Sequence, residues 1–141
     1  MSSADARFDP RGFAAVASLL ITVGSTLSGA DVPPEAAFRA AIGRFYYAAL
    51  LSARDYLAQS EPMPVNTTEQ THRWVIGKLR ESADGESQRL TSELNSMRIV
   101  RNRADYGDAI ADPRQEALRM ASGCSRALGY VTTLTRRYGR S

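Results

Sequence analysis

The spacing of apolar residues along the chain predicts helices and no strand. Apolar residues recur three or four positions apart over long segments, and no β-branched run alternates with polar residues. Helix-start and helix-end signals divide this pattern into five predicted helices. Their approximate limits are residues 10–28, 32–59, 68–81, 86–105 and 113–138.

Local capping signals set these limits. Asp9-Pro10 and Asp112-Pro113 each place an N-cap residue before a proline at the first helical position. Thr67–Gln70 matches a capping box, which predicts the start of the short third helix. The other boundary signals are Gly29 as a C′ residue, the Asp31–Glu35 segment, the Asp84-Gly85 turn and Gly107.

The second predicted helix is apolar on two sides. One face consists of Phe38, Ile42, Phe45, Ala49 and Tyr56. The roughly opposite face consists of Ala37, Ala40, Tyr47, Ala48 and Leu51. A helix with two apolar faces is normally central in a bundle, or it lies between a core and a partner subunit. We therefore expect a central helix or a dimer-forming one.

The fourth predicted helix contains an arginine within its apolar stripe. At about 100° per residue, Leu90, Leu94 and Met97 share one face, and Arg101 continues that face four residues later. A guanidinium that turns inward loses hydration and needs a partner. Asp105, a further four residues along, can supply one. Two interpretations follow: a structural Arg101–Asp105 pair, or a groove in which Arg101 meets an anion such as RNA phosphate.

Length and composition indicate one soluble domain. The chain has 141 residues, of which 43% are hydrophobic and 23% are charged. Cys124 is its only cysteine, so a reducing compartment fits, and we expect this residue to be a small core hydrophobe. We expect a cytoplasmic protein, since no apolar run predicts a signal peptide or a membrane span. Residues 1–8 and 139–141 are expected to be flexible.

The basic residues are almost all arginines. The formal charge is +3, and Lys78 is the only lysine among 18 basic residues. Arg98, Arg101 and Arg103 form one cluster, and Arg136, Arg137 and Arg140 form another near the end. Arginine suits phosphate recognition, but an arginine-rich genome would give the same composition, so both explanations stay open.

Three segments resemble the HEPN family of helical domains. Residues 44–54, which read RFYYAALLSAR, are similar to the signature second helix of that family. Thr71-His72-Arg73 resembles the start of the third helix in one HEPN subgroup. Residues 101–108, which read RNRADYGD, resemble the end of that subgroup's fourth helix. The order and spacing agree, and the likeness extends over about residues 10–138.

The resemblance implies a four- to five-helix up-and-down bundle that usually forms a homodimer. Many members act in toxin–antitoxin or defence systems, and some bind a nucleotidyltransferase partner. Catalytic members use an arginine and, four to six residues later, a histidine to cut RNA without a metal. Histidine can move protons near neutral pH, and arginine can hold the charge of the phosphorane.

This chain departs from the catalytic pattern. Tyr106 stands where the histidine is expected after Arg101, and His72 is the only histidine. Tyrosine, with a pKa near ~10, is a poor general base at neutral pH. A histidine near a helix start is more often a surface or capping residue, which makes His72 a weak candidate for the missing base. No Cys or Glu cluster suggests a metal site, and we expect no cofactor.

The leading hypothesis is a protein that acts on or binds RNA, either as a metal-independent endoribonuclease or as a degenerate relative of one. Candidate catalytic residues are Arg101, Asp105, Tyr106 and, with least support, His72. Candidate RNA-binding residues are Arg98, Arg101, Arg103 and, by analogy with the family, Arg44. In this hypothesis Arg101 holds a phosphate, Asp105 orients Arg101, and Tyr106 donates a hydrogen bond or stacks on a base.

Other function classes stay open. A non-catalytic module could bind a partner protein such as a nucleotidyltransferase, and in this hypothesis Tyr106 is the residue that the partner modifies. A helical bundle that binds a small molecule could line its pocket with aromatic residues, here Phe45, Tyr46, Tyr47 and Trp74. Aromatic residues at helical spacing are, however, more often core residues. Helix–turn–helix DNA binding is disfavoured because no basic recognition helix follows a tight turn.

Overall fold

Five α-helices make up the part of the chain that the computed structural model describes, which is residues 8–26, 32–60 and 67–139. They are α1 (Gly12–Thr26), α2 (Pro34–Ala58), α3 (Thr68–Arg80), α4 (Gly85–Asp105) and α5 (Pro113–Tyr138). No strand occurs in these residues, so the predicted all-α class is confirmed. None of these helices combines the length and apolar character that crossing a bilayer requires.

The predicted capping signals begin three of the helices. At α3, the Thr67 hydroxyl accepts a hydrogen bond from the Gln70 backbone N–H at 3.1 Å, and the Gln70 side chain accepts one from the Thr67 N–H at 3.2 Å. This is the expected capping box, which satisfies two otherwise free donors. Asp84 and Asp112 accept backbone N–H groups at the starts of α4 and α5.

At α1 the start differs slightly from the prediction. Asp9 accepts a hydrogen bond from the Arg11 backbone N–H at 3.0 Å, and Pro10 lies in a turn before the helix begins at Gly12. The predicted end signal Gly29 and the start signal Asp31 lie outside the described residues. So do residues 1–7 and 140–141, which make up most of the two terminal segments expected to be flexible.

Helix α2 is the central helix of the bundle, as its two apolar faces predict. It packs against all four other helices. Ala41, Ala48, Ala49 and Ala53 are fully buried along it, and these small side chains let neighbouring helices approach on several sides. Ala40 is an exception, because the structure leaves it exposed.

The four long helices alternate in direction. In the pairs α1–α2, α2–α4 and α4–α5, the start of one helix lies beside the end of its neighbour. For α1 and α2 the contacts are Phe13–Tyr47 and Gly24–Phe38. For α2 and α4 they are Arg39–Ala104 and Tyr46–Arg101. For α4 and α5 they are Asp84–Arg137 and Glu93–Arg126. The short α3 lies in the connection between α2 and α4 and packs on those two helices.

The core is one continuous cluster to which every helix contributes. Its largest fully buried aliphatic side chains include Ile42, Leu50, Leu90 and Leu94. Cys124 is also buried there, and burial raises the pKa of its thiol to about 11. The thiol therefore stays protonated near neutral pH, in agreement with the expected role as a small core residue.

Leu94→Ala should destabilise the fold because it leaves a cavity where α4 faces the core. Leu94 is fully buried, so we expect a loss of about 2–5 kcal/mol of unfolding free energy in urea denaturation. Leu19→Ala on α1, where the side chain is 62% exposed, is the matched control and should change stability little. Equal losses in the two variants would contradict the described core.

Candidate functional site

The apolar stripe of α4 ends at Arg101, as the sequence pattern indicates. Leu90, Leu94 and Met97 are buried in the core. The Arg101 side chain follows on the same face and is only 12% exposed. Its guanidinium is therefore largely removed from water, and the cost of that desolvation has to be offset by nearby groups.

Two carboxylates face the Arg101 guanidinium. Its Nε lies 2.7 Å from Oδ2 of Asp105, and its Nη1 lies 3.8 Å from Oε1 of Glu69 on α3. The Nε–H bond is not aligned with the Asp105 oxygen well enough to make a hydrogen bond, so this contact is an ion pair. Nη1 donates a hydrogen bond to the Asn102 side chain at 3.2 Å.

Two aromatic rings of α2 complete the surroundings of Arg101. The guanidinium carbon lies 5.7 Å from the ring centre of Tyr46 and 5.9 Å from that of Tyr47. A cation over a ring face gains about 0.5–2 kcal/mol, and more of this when it is desolvated. Arg101 thus joins α2, α3 and α4 at one point. The inward arginine has the Asp105 partner that the sequence suggested, along with partners on other helices that it did not.

A buried hydrogen-bonded row lies beside this point. His72 is 6% exposed, its Nδ1 lies 2.7 Å from the Tyr46 hydroxyl, and its Nε2 lies 3.0 Å from Oδ1 of Asn95. Since the Asn95 oxygen can only accept, Nε2 carries the proton in this contact. In the neutral imidazole, Nδ1 then accepts from the Tyr46 hydroxyl. The expectation that His72 is a surface or capping residue is wrong.

Burial explains the acid–base properties of this row. Desolvation lowers the pKa of His72 below its usual value, and the hydrogen bond to Asn95 and the charge of Glu69 only partly oppose this shift. Desolvation also raises the pKa of the Tyr46 hydroxyl well above its usual value, against the nearby charge of Arg101. Both groups therefore stay neutral near pH 7.

Arg98, one turn before Arg101 on α4, also has a carboxylate partner. Its Nη2 donates to Oε2 of Glu69 at 2.7 Å. This hydrogen bond lowers the pKa of Glu69, as do the nearby charges of Arg98 and Arg101. The same hydrogen bond and the negative charge of Glu69 raise the pKa of Arg98. Both side chains are partly exposed, so the pair adds little to stability. Its effect is to hold Glu69 next to Arg101.

The C-terminal end of α4 is fixed by a residue that the sequence analysis missed. Arg39 on α2 donates hydrogen bonds to the carbonyl oxygens of Arg103, Ala104 and Asp108 at 3.1, 3.2 and 2.7 Å. Its Nε also pairs with Glu35 at 3.0 Å. Carbonyl groups at a helix end lack helical partners and favour a cation. Any residue type presents such carbonyls, so no sequence signal identifies them as partners.

The same helix end shows a tight turn. The backbone at Gly107 has φ +75°, a left-handed conformation that glycine adopts without strain. The Asp108 N–H then bonds back to the Arg103 carbonyl at 3.2 Å, a hydrogen bond of the Schellman type. This turn ends α4 just after Tyr106, its C-cap residue.

Three candidate residues are left facing solvent at this end. Tyr106 is 76% exposed and Arg103 is exposed. Neither side chain makes a hydrogen bond, ion pair or ring contact with another described residue. Arg44 is exposed on α2, with its guanidinium 5.6 Å from the ring centre of Phe13 and 6.0 Å from that of Tyr47. A hollow of about 260 Å³ between the helices is lined by Arg39, Ala40, Gly43, Arg44, Tyr47 and Asp105.

The arrangement can bind anions more readily than it can move protons. Both ring nitrogens of His72 are engaged inside the bundle, and Tyr106 has no described partner that could act on its proton. Among the described residues, no group of three His, Cys, Asp or Glu side chains is placed to hold a metal ion. The exposed guanidinium groups are the chemically available part of the site.

Comparison of the chain with protein-family models, curated proteins and solved structures finds no match. The HEPN resemblance therefore stays a prediction. The structure brings Arg101, Asp105, Tyr46 and Tyr47 together and leaves Arg103 and Tyr106 outside that cluster.

Arg101→Ala should destabilise the protein more than Arg103→Ala does. Both changes remove one charge from α4, but only Arg101 is desolvated and paired. We expect a loss of about 2 kcal/mol for Arg101→Ala, less than for a fully buried pair because Asp105 stays hydrated, and less than about 0.5 kcal/mol for Arg103→Ala. Urea denaturation measures both, and similar values would contradict the structural role of Arg101.

The His72 imidazole should titrate below the model-peptide value of about 6.5. Because the folded pKa is lowered, the unfolded state binds more protons, so stability should fall as pH drops from about 6.5 towards the folded pKa. NMR of the ring in an untagged chain follows one histidine without ambiguity, and it should also show the Nε2–H tautomer. A pKa at or above 6.5 would refute the buried row.

Proposed function

We propose that this protein binds RNA at the C-terminal end of α4 and does not cleave it. The α4-end surface is defined here as Arg44, Arg103 and Tyr106. The observation that supports the proposal is that some arginines near this helix end are engaged within the protein and others are exposed to solvent. Arg101 and Arg39 are engaged within the protein, whereas Arg103 and Arg44 present their charge to solvent.

The chemistry of the α4-end surface suits a single-stranded nucleic acid. Exposed guanidinium groups can contact phosphates, and an exposed phenol ring such as that of Tyr106 can stack on a base. Arg101 then acts as a positioning residue: with Asp105 and Arg39 it fixes the last turn of α4, and so the direction in which Arg103 and Tyr106 point. This role replaces the direct phosphate contact expected from the sequence.

Neither of the two candidate bases, His72 and Tyr106, is suited to take a proton from RNA, which favours binding over cleavage. RNA hydrolysis needs a group that takes the 2′-hydroxyl proton and another that protonates the leaving oxygen. His72 is neutral, buried and hydrogen-bonded at both nitrogens. Tyr106 is exposed and replaces the histidine of the catalytic HEPN pattern. The proposal is therefore a degenerate, non-catalytic relative of RNA-acting HEPN proteins.

The HEPN resemblance supplies the biological setting of this proposal. It suggests a cytoplasmic toxin–antitoxin or defence protein, and a homodimer in which two α4-end surfaces face a shared cleft. Two such surfaces would double the number of phosphate contacts, and binding would then weaken more steeply with salt.

A partner protein is the second candidate ligand, and the outer face of α4 favours it. Ile99 is 57% exposed, and Tyr106 lies on the same side of the helix seven residues later. An exposed apolar side chain near an exposed aromatic one is typical of protein contacts. A nucleotidyltransferase is the partner class that the family resemblance suggests.

The Arg103→Ala, Tyr106→Ala double variant should bind single-stranded RNA at least about tenfold more weakly, because it loses a phosphate contact and a stacking ring. Fluorescence anisotropy with a labelled oligonucleotide measures this. Tyr106→Phe keeps the ring and should bind nearly as the unmodified chain does. Arg119→Ala removes an exposed charge from α5 and is the matched control.

Two results would contradict the proposal. Unchanged affinity in the double variant would remove the α4-end surface from RNA binding. RNA cleavage without metal, abolished by Arg101→Ala, would show an enzyme instead. If the unmodified chain binds no RNA but retains a partner protein, and Ile99→Glu releases that partner, the second candidate is favoured.

A further inference from the structure

A groove on the other side of the Arg98–Glu69 pair has no part in the proposed function. It runs between α3 and α4 and has a volume of about 380 Å³. It is lined by Glu69, His72, Arg73, Ile76, Gly77, Arg80, Asn95 and Arg98. We call it the α3–α4 groove. Pockets of this size accommodate small ligands or a segment of a polymer.

Two arginines of α3 face this groove without a partner. Arg73 and Arg80 are exposed, and neither makes a hydrogen bond or an ion pair with another residue in the described ranges. They are seven residues apart, so they lie on one side of the helix about 10 Å from each other. Most other described arginines have a carboxylate, hydroxyl or carbonyl partner, which makes this unpaired couple unusual.

The groove presents donors rather than acceptors. Glu69 is the only carboxylate in the lining, and Arg98 neutralises its charge. The three arginines and one glutamate of the lining together leave a net charge of +2. The Asn95 oxygen is occupied by His72, so its amide N–H groups are what remains for a ligand. Such a surface selects an anion with several acceptor oxygens.

The floor of the groove allows a ligand to approach closely. Ile76 is nearly buried between the two arginines. At Gly77, a Cβ would meet no atom within 4 Å, so the helix surface there is open. An open base flanked by two arginines about 10 Å apart fits an extended anion better than a compact one.

We propose that the α3–α4 groove is a phosphoanion-binding site in which Arg73 and Arg80 hold two separate phosphate groups of one ligand. Arg98 and the Asn95 amide supply further donors. The ligand is either the phosphodiester backbone of a nucleic acid or a free polyphosphate chain. The site does not depend on the proposed function, because none of its residues belongs to the α4-end surface.

Binding of two probes to the full chain tests this site. The probes are inorganic tripolyphosphate, followed by calorimetry, and a labelled single-stranded RNA of about 12 nucleotides, followed by anisotropy. The test variant is Arg73→Ala, Arg80→Ala. The control, Arg119→Ala, Arg136→Ala, removes the same charge from exposed positions on α5. Circular dichroism checks that each variant is folded.

We expect the test variant to bind at least one probe about tenfold more weakly, and the control to bind it within about twofold. For RNA, the slope of log affinity against log salt should also fall by about 1.4, which is two phosphate contacts on a single strand. If the test variant binds only the RNA probe more weakly, the ligand of the groove is the backbone of a nucleic acid. If it binds tripolyphosphate more weakly, the ligand is a free polyphosphate.

Repeating the RNA measurement in the Arg103→Ala, Tyr106→Ala background separates the two proposals. If the groove binds independently, the Arg73→Ala, Arg80→Ala change weakens binding there as well. The inference is overturned if the folded, unmodified chain binds neither probe, or if the test variant binds both as tightly as the control does. Neither result depends on the outcome at the α4-end surface.

Discussion

The structure depends on keeping one positive charge, that of Arg101, at the edge of the hydrophobic core. Desolvating a guanidinium costs several kcal/mol, which the apolar stripe of α4 cannot repay. The ion pair with Asp105, the nearby carboxylate of Glu69 and the ring faces of Tyr46 and Tyr47 offset this cost together. Because these groups come from three helices, the charge is satisfied only when α2, α3 and α4 are packed together.

This constraint explains why the site is arranged as it is. Tyr46 faces Arg101 with its ring and His72 with its hydroxyl, so the same side chain belongs to the cation cluster and to the buried neutral row. A histidine held in this way cannot serve as an exposed base. In the proposed function, the ligand therefore meets Arg103 and Arg44, whose side chains are exposed.

Much of the fold follows from the sequence because its signals are local. Capping residues such as Thr67 and Asp112 act within one turn, and periodicity places Leu94 and Arg101 on one face of α4. Contacts between side chains on different helices give no comparable local signal in the sequence. The hydrogen bonds of His72 and the carbonyl contacts of Arg39 depend on how helices cross, and spacing along the chain does not encode that. The sequence therefore indicated where a charge was anomalous, but not which arginines were free.

The central claim is that the Arg101 guanidinium is held over two tyrosine rings inside the protein, and NMR of the arginine Nε–H groups tests it most directly. With Arg101→Lys used to assign the signal, we expect one slowly exchanging Nε–H shifted upfield by ring currents. The shift should shrink when Tyr47 is replaced by leucine. An Arg101 signal with the exchange rate and shift of a solvated arginine would contradict the account.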